Sequence, residues 1–262
     1  MTTFAQELLV AEAIARRAGR HIQRERAQAL KVSLKGPRDL VTNVDRSTEE
    51  LIKALLQGAF PEDPILGEEF GASDGAAQER RWLIDPIDGT QNFAHGVPLY
   101  CVSIALQLRD ETVVAVIFDP CRDELFSAAV GQGATLNGEA IAVSACAALS
   151  ESLLVTGFPT RQDQAFETTL RQFDRLTRQG RGIRRLGSAA LDLAYVAAGR
   201  LDAFWEYGLK PWDTGAGYLL VEEAGGQVSD VTGAAFGVTS PSILASNQTL
   251  HDDLLNLLNT SH

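Results

Sequence analysis

Residues 82–93 read Trp-Leu-Ile-Asp-Pro-Ile-Asp-Gly-Thr-Gln-Asn-Phe. A short apolar run with the character of a strand leads directly into two aspartates, Asp85 and Asp88, which lie three positions apart. Pro86 restricts the backbone of the turn that we expect between them. Both carboxylates can then face one point, which is how a chain builds an acidic ligand site at a strand end.

Gly89 and Thr90 follow this pair of aspartates. Glycine relaxes backbone sterics, so the chain can turn sharply before Thr90. If the backbone becomes helical there, the free amides of Gly89 and Thr90 form an anion site at a helix N-terminus. The alternative interpretation is that the Asp-Pro and Asp-Gly pairs only mark turns.

Other acidic residues stand in comparable places. Gly67-Glu68-Glu69 follows a short apolar run, residues 39–45 carry two more aspartates, and Asp213 follows Pro211-Trp212 at a predicted helix start. One of the two glutamates is expected to be solvated. An aspartate at a helix start is by itself more often a cap than a ligand.

Outward from these motifs, periodicity predicts mixed secondary structure. An amphipathic helix runs from Phe4 to Ile22 and packs on a sheet, and a second begins near Asn43 and Asp45, which are read as its capping residues. Residues 100–109, 112–119 and 123–130 read as an antiparallel meander. Beyond residue 150, strands predicted at 153–156, 182–185, 202–205 and 242–245 alternate with helices at 164–178, 188–198, 212–223 and 250–258, which implies a mixed or parallel sheet.

Composition limits the class of protein. The chain has 262 residues, a formal net charge of −11 and only three cysteines. The negative charge argues against a nucleic-acid or membrane surface, so a phosphate-bearing substrate needs local cations. Cysteines without a CxxC pair argue against a disulfide framework or a thiolate zinc site, and a reducing cytoplasm fits best. No secretion signal and no membrane span are expected.

Two further patterns have ordinary interpretations. Gly131 and Gly133 followed by Asn137-Gly138 resemble a nucleotide loop, but Asn-Gly between short strands is a hairpin signal. A cluster of basic residues is interpreted as a solvated face rather than an RNA or protein site: Arg181, Arg184 and Arg185.

In order and spacing, four segments resemble the inositol monophosphatase family: Asp39–Asp45, Gly67-Glu68-Glu69, Asp85–Phe93 and Trp212-Asp213. The similarity covers nearly the whole chain and has a bacterial character. It implies an α+β fold of the sugar-phosphatase type: a layered αβαβα sandwich with an antiparallel N-terminal sheet and a mixed C-terminal sheet. We place the division between two sub-domains at residues 1–145 and 146–262. A homodimer and sensitivity to lithium are also implied.

The resemblance further implies two to three Mg²⁺ ions. Glu68, Asp85 and the Ile87 carbonyl look like ligands of a first ion, and Asp85, Asp88 and Asp213 look like ligands of a second. Glu68 also looks like a ligand of a weaker third ion. The residue types agree, because an all-oxygen set suits a hard cation and disfavours zinc. Clustered carboxylates also repel one another, so the site should bind divalent cations readily.

Catalytic roles follow from the same resemblance. Asp45 and Thr90 look like the pair that orients the attacking water, with Glu68 beside them. The amides of Gly89 and Thr90 look like phosphate donors. A phosphomonoester would then be hydrolysed by direct in-line attack of a metal-activated water, without a phosphoenzyme.

Substrate recognition is assigned to other positions. In the family, the residues corresponding to Ala189 and Glu206 lie against sugar-like hydroxyls, and Asp88 also contacts substrate. Without the resemblance, Glu206 would be read as an exposed acid at a strand end. Lys35 resembles the lysine of a mobile loop that closes over the site, and the loop from Lys35 to Asp39 is shorter than in animal members. Gly215 departs from the usual alanine.

Three hypotheses remain open from the sequence. The first is hydrolysis of myo-inositol monophosphate or a similar small polyol phosphate. The second is another phosphatase of the same fold, acting on histidinol phosphate or 3'-phosphoadenosine 5'-phosphate. The third is a non-catalytic regulatory protein that uses the fold to dock on transcription machinery, although such a module would have no need of the acidic residues.

Overall fold

The structure is a computed structural model that describes residues 4–28, 30–36, 39–72 and 79–260. The helices in these ranges are α1 Ala5–Arg26, α2 Asn43–Ala59, α3 Thr90–His95, α4 Gln164–Gln179, α5 Ala189–Ala197, α6 Pro211–Glu223 and α7 His251–Asn259. The strands are β1 Val32–Gly36, β2 Asp39–Thr42, β3 Ile65–Gly67, β4 Gly71–Ala72, β5 Arg80–Asp88, β6 Cys101–Leu108, β7 Glu111–Asp119, β8 Glu124–Ala129, β9 Ala134–Leu136, β10 Glu139–Ala140, β11 Leu153–Thr156, β12 Gly182–Arg184, β13 Ala203–Tyr207, β14 Gly226–Ser229 and β15 Ser242–Asn247.

Two large sheets organise the molecule. The first has the order β10-β9-β8-β7-β6-β5-β3-β4, and its neighbours are antiparallel except for the parallel pair β3 and β5. The second has the order β12-β11-β13-β15-β14 and is mixed, because β11 is parallel to β12 and β13 whereas β15 is antiparallel to β13 and β14. The predicted meander of β6, β7 and β8 is confirmed.

Helices cover and separate these sheets. Helices α1 and α2 pack on the outer face of the first sheet, α5 and α6 lie between the two sheets, and α4 and α7 cover the outer face of the second. Each interface has its own apolar core, represented by Trp82 under α1 and α2, Leu193 between the sheets and Trp205 under α4 and α7. The layered αβαβα sandwich is therefore confirmed. The division at residue 145 stays a prediction.

Helix α6 packs closely on two neighbours, β5 and α5, through two glycines. A Cβ at Gly217 would lie 2.4 Å from Leu193 Cδ1 on α5, and one at Gly215 would lie 2.7 Å from Leu83 Cδ1 on β5. The missing Cβ of glycine leaves space for these leucine side chains at both positions. The departure at Gly215 from the usual alanine thus makes room for Leu83.

Two local expectations need correction. Strand β5 continues through Pro86 to Asp88, and its register with β6 shifts between Asp85 and Asp88, so Pro86 lies in a bulge rather than in a turn. Proline is tolerated there because a bulge does not need its missing N–H. The N-cap of α2 is Thr42, not Asn43, whose side-chain oxygen instead accepts a hydrogen bond from the Lys31 amide at 2.7 Å.

Strands β1, β2 and β14 were not predicted from the sequence. Four of the five β1 residues are exposed, including Leu34, so the strand lacks the alternation of buried and exposed residues by which strands are recognised. Its pairing with β2 creates the hairpin. None of the helices in the described ranges is both long and apolar enough to cross a bilayer.

Candidate active site

Three carboxylates from two elements meet at the edge of the central layer. Asp85 and Asp88 stand at the bulged end of β5, and Asp213 stands in the first turn of α6. Ligand oxygens of the three lie within 4.8 Å of one another. Strand β5 and helix α6 pack together, and this packing joins residues that are far apart in sequence.

Local hydrogen bonds orient each of these carboxylates. Asp85 Oδ1 accepts from the Ile87 amide at 2.9 Å, and Asp213 Oδ2 accepts from the amide of Lys210, the N-cap residue of α6, at 2.7 Å. Asp213 is therefore not the N-cap, because it stands three residues after Lys210, but its carboxylate holds the amide at the helix start and also belongs to the cluster. A carboxylate has two oxygens, so one can hold the backbone while the other faces a ligand.

Asp88 is fixed by the start of α5. Its Oδ2 accepts hydrogen bonds from Ser188 Oγ at 2.5 Å and from the Ala190 amide at 2.7 Å. Ser188 is also the N-cap of this helix. The first turn of α5 thus supplies donors that favour the ionised form of Asp88 and set its direction.

The electrostatics of the cluster favour a bound cation. Burial raises the pKa of Asp85 and Asp213 well above the ordinary aspartate range, and the charges of neighbouring carboxylates raise both further. Burial also raises the pKa of Asp88, although the bonds from Ser188 and Ala190 oppose it. Like charges in a poorly solvated site disfavour joint ionisation, and a divalent cation reverses that penalty.

Glu68 joins this site from the end of β3. Its amide donates to the Ile84 carbonyl at 3.3 Å, which ties the residue to β5. Its pKa is raised, first by burial, while Lys35 lowers it. The Lys35 ammonium lies 3.0 Å from Glu68 Oε1. Glu68 is therefore brought together with the predicted aspartate ligands by the parallel pairing of β3 with β5.

Contrary to expectation, neither glutamate of the pair is solvated. The Glu69 side chain is 1% exposed and that of Glu68 is 20% exposed, and Lys35 contacts both carboxylates. Burial raises the pKa of Glu69 to about 7, with Glu68 adding to the shift and Lys35 opposing it. The backbone here is held by Glu49, whose carboxylate accepts the amides of Glu69 and Phe70 at 2.7 and 3.1 Å.

Lys35 lies on β1, next to this acidic edge. Burial of its ammonium works against the charge, but Glu68 and Glu69 outweigh it and raise the pKa of Lys35 above the ordinary lysine value. Pro37 and Arg38, which belong to the predicted mobile loop, lie outside the described residues. The assignment of Lys35 to a loop that closes over the site stays a prediction.

A hydroxyl–carboxylate pair lies beside the acidic cluster. Thr90 Oγ1 is 2.9 Å from Asp45 Oδ1 and 3.0 Å from the Ile87 carbonyl. Asp45 is fully buried, and its Oδ2 accepts the Thr42 amide at 2.8 Å within the capping box of α2. Burial raises the pKa of Asp45, while hydrogen bonds from Thr42 and Thr90 lower it. The pair is thus rigidly held.

Gly89 provides the sharp turn that the sequence predicted. It caps α3 with φ 97°, in the left-handed region that favours glycine, and a Cβ there would lie 2.9 Å from the Leu99 carbonyl oxygen. The backbone does become helical at Thr90, and so the amides of Gly89 and Thr90 stand at the beginning of α3.

A cleft of about 200 Å³ opens from this site. Among its lining residues are Thr90, Asp88, Asp213, Ala189 and Glu206, so the structure brings the predicted substrate residues next to the predicted ligands. Glu206 is 9% exposed on β13. Burial raises its pKa to about 8, because the opposing charge of Arg185 is too weak to offset it. The alternative interpretation of Glu206, an exposed acid at a strand end, is therefore wrong.

The two ordinary interpretations can also be compared with the structure. Asn137 and Gly138 have φ 51° and 85° and connect β9 to β10, so the hairpin is confirmed. The amides of Gly131 and Gly133 both donate to the Glu223 carboxylate at 2.7 Å. These amides are therefore already paired with an acid of the protein and do not form a nucleotide loop. Within the basic cluster, Arg185 lines the cleft instead of belonging only to a solvated face.

Sequence reasoning missed Ser188, Glu49 and Asp192. Ser188 orients Asp88, and Glu49 accepts the amide of Glu69, next to Glu68. Asp192 lines the cleft. A signal existed only for Asp192, because it is the one acid within Ala-Ala-Leu-Asp-Leu-Ala-Tyr-Val-Ala, an otherwise apolar helical run. An acid in such a run requires an explanation.

Comparison with known proteins agrees with this geometry. The model of the inositol monophosphatase family matches residues 5–262. A Nus factor SuhB of Pseudomonas aeruginosa is 47% identical over 257 residues, covering 96% of this chain and 95% of that protein. An inositol-1-monophosphatase of Mesorhizobium japonicum is 44% identical, covering 92% and 91%.

A solved structure extends the likeness to three dimensions. The extragenic suppressor protein suhB of Bartonella henselae superposes with a TM-score of 0.94 at 40% identity, covering 98% of this chain and 100% of that one. Sequence, fold and the converging carboxylates thus lead to one conclusion: the chain belongs to the inositol monophosphatase family, and it is a metal-dependent phosphomonoesterase.

Proposed function

We propose that this phosphomonoesterase hydrolyses myo-inositol monophosphate or a similar small polyol phosphate, using Mg²⁺ and direct in-line attack by water. One observation carries the proposal. The carboxylates of Asp85, Asp88 and Asp213 converge beside the Thr90–Asp45 pair, at the mouth of a cleft that buries Glu206. A site for cations, a group that can accept a proton and a group that can accept a hydrogen bond from a substrate hydroxyl thus lie side by side.

The donor set fits a hard divalent cation, because it consists of carboxylate and carbonyl oxygens without histidine or cysteine. Glu68, Asp85 and the Ile87 carbonyl would hold a first ion, and Asp85, Asp88 and Asp213 a second. Glu68 could also reach a weaker third ion. When bound, such ions neutralise phosphoryl charge and increase the acidity of water.

Thr90 and Asp45 would orient the attacking water and receive its proton. Thr90 Oγ1 can donate only one proton, and it lies within reach of both Asp45 Oδ1 and the Ile87 carbonyl. A water that donates to Thr90 Oγ1 is therefore one hydroxyl away from the buried Asp45 carboxylate. The amides of Gly89 and Thr90 would donate to the phosphoryl oxygens.

Recognition of the alcohol part would come from the opposite wall of the cleft. Ala189 and Glu206 would contact the ring or chain that carries the hydroxyls, with Asp88 between them and the ions. Lys35, which already contacts Glu68 and Glu69, would close over the acidic edge. The resemblance also suggests a homodimer and inhibition by lithium.

A substrate panel tests the proposal. Phosphate release is measured in MgCl₂ from myo-inositol 1-phosphate, glycerol 2-phosphate, histidinol phosphate and 3'-phosphoadenosine 5'-phosphate, with Asp213→Asn as the inactive control. Preference for the polyol esters supports the proposal, whereas preference for either of the last two esters identifies the alternative phosphatase. If the wild-type protein releases no phosphate from any of them, the proposed function is refuted.

The name Nus factor, carried by relatives that are 46–47% identical, favours a regulatory docking role as second candidate. The two roles separate in a strain from which the gene is deleted. If Asp213→Asn, without turnover, restores the wild-type phenotype, then the docking role accounts for that phenotype. If only the active protein restores it, turnover does.

A further inference from the structure

A carboxylate that none of the proposed roles uses lies in the wall of the cleft. Asp192 belongs to the first turn of α5, is 2% exposed and lines the same cleft as Ala189 and Glu206. Its Oδ1 is buried and accepts no hydrogen bond from the described residues. A buried polar atom without a partner is costly and rare, so its presence needs a cause.

The fold does not provide that cause. The N-terminus of α5 is already capped, because Ser188 Oγ accepts the Leu191 amide at 3.4 Å and Asp88 Oδ2 accepts the Ala190 amide at 2.7 Å. Asp192 contributes only its backbone to the helix, through the amide that donates to the Ser188 carbonyl at 3.0 Å. Its side chain is therefore not needed as a cap.

The position of Asp192 directs it toward the bound alcohol. It follows Ser188 by four residues and Ala189 by three, and each of these spacings makes two residues neighbours on a helix surface. Both Ser188 and Ala189 line the cleft. The charges of Glu206 and Asp88 help burial to raise the pKa of Asp192, which places all three carboxyls in one electrostatic neighbourhood, with Arg185 opposing.

Glu206 shares the same lack of partners. Among the described residues no hydrogen bond reaches its carboxylate, and only the charges of Arg185 and Asp88 act on it besides burial. Both carboxyls line one cleft and have no donor among the described residues, so they match a ligand that brings donors. Hydroxyl groups are such donors, and a ligand with a single hydroxyl would leave one acceptor without a partner.

We infer that Asp192 is a specificity-determining residue that accepts a hydrogen bond from a second substrate hydroxyl, next to the one accepted by Glu206. The ligand class is a monophosphate with at least two free hydroxyls on the side away from the phosphate. This inference rests on the proposed function and narrows its substrate class.

The test compares two esters rather than one rate. The value of kcat/KM is measured in MgCl₂ for myo-inositol 1-phosphate and for phenyl phosphate, which has no hydroxyl. Asp192→Ala should lower the ratio of the two values on the order of tenfold, mainly through KM for the inositol ester, since a hydrogen bond to a carboxylate is lost. Asp192→Asn, which nearly preserves the shape, should lower it less.

The matched control is an aspartate at the start of another helix, away from the cleft. Asp253 is exposed in the first turn of α7, so Asp253→Ala should leave the ratio unchanged. Thermal unfolding without substrate provides a second readout. If Asp192 stabilised the fold, Asp192→Asn would have a lower melting temperature than wild type. If its carboxylate serves the substrate instead, the melting temperature of Asp192→Asn should be equal to that of wild type or higher.

Each outcome has a defined meaning. An unchanged ratio in the folded Ala and Asn variants overturns the inference alone, and so does an equal loss on both esters. A larger effect on histidinol phosphate than on the inositol ester would identify Asp192 as a binder of cations and would also overturn it. A wild-type protein that cleaves phenyl phosphate but no polyol ester refutes the proposed substrate class and the inference together.

Discussion

Replacing Glu206 with glutamine removes a charge from the cleft and nearly keeps the shape of the side chain. Glu206 is 9% exposed, and burial raises the pKa of its carboxyl from 4.5 to about 8, with Asp88 adding to the effect and Arg185 opposing it. When the Glu206 carboxyl is ionised, its burial makes the folded protein less stable. Glutamine should therefore stabilise the fold at high pH.

The sign and the magnitude follow from linkage. Because the folded pKa lies above the unfolded pKa, stability from Glu206 is fully present below pH 4.5 and is lost as the pH rises through 8. At about 1.4 kcal/mol per unit of pKa, the gap between 4.5 and 8 corresponds to about 5 kcal/mol as an upper limit. Water that enters the cleft reduces this value, and we expect a gain of at least ~2 kcal/mol at pH 9, or roughly 4–8 °C in Tm.

The assay is thermal unfolding in EDTA from pH 4.5 to 9, followed by circular dichroism. Wild type, Glu206→Gln and Glu139→Gln are compared, where Glu139 is exposed on β10 and provides the same chemical change without burial. The difference between Glu206→Gln and wild type should grow with pH, whereas the Glu139 variant should follow wild type. A difference that does not depend on pH would show that Glu206 carries no burial penalty and would refute the reasoning.

Three other predictions concern the ions and the cleft. Asp213→Asn keeps an oxygen for the Lys210 amide but loses a ligand charge. Phosphate release in MgCl₂ should therefore fall on the order of 100-fold, with an unchanged circular dichroism spectrum. A near wild-type rate would show that Asp213 is not a metal ligand. Mg²⁺ at about 100 times its Kd should stabilise the wild type by about 2.7 kcal/mol in urea unfolding, and Asp213→Asn by less; equal gains in both proteins would mean that the ion binds elsewhere. Gly157→Ala would place a methyl group against the Glu206 carboxylate. We therefore expect the free energy of unfolding in urea to fall by about 1–3 kcal/mol and the KM for polyol esters to rise. Unchanged stability and KM would show that the two residues are not in contact.

The helices and the meander could be predicted because each depends on residues close together in sequence. The predicted helix from Phe4 to Ile22 forms as α1, since its small and apolar residues recur at one face and pack on the first sheet. The capping box of α2 is also local, although the sequence analysis named Asn43 instead of Thr42 as a capping residue. Both residues have side-chain oxygens that can cap.

The sequence also identified most of the site by its residue types. Acids directly after short apolar runs, such as Glu68 after β3 and Asp88 at the end of β5, are delivered to a sheet edge by strand geometry alone. Hard oxygen donors without histidine or cysteine indicated a hard cation before any distance was known. These conclusions need only local backbone geometry and ligand chemistry.

Only the tertiary structure decided which acids are buried and which of them meet. Asp213 reaches Asp85 because α6 packs on β5, and Gly215 permits that approach. Glu69 carries no local sign of its burial, since burial is set by layers that come from distant parts of the chain. The sequence determines which groups are available, and packing determines their solvent exposure, their pKa values and their neighbours.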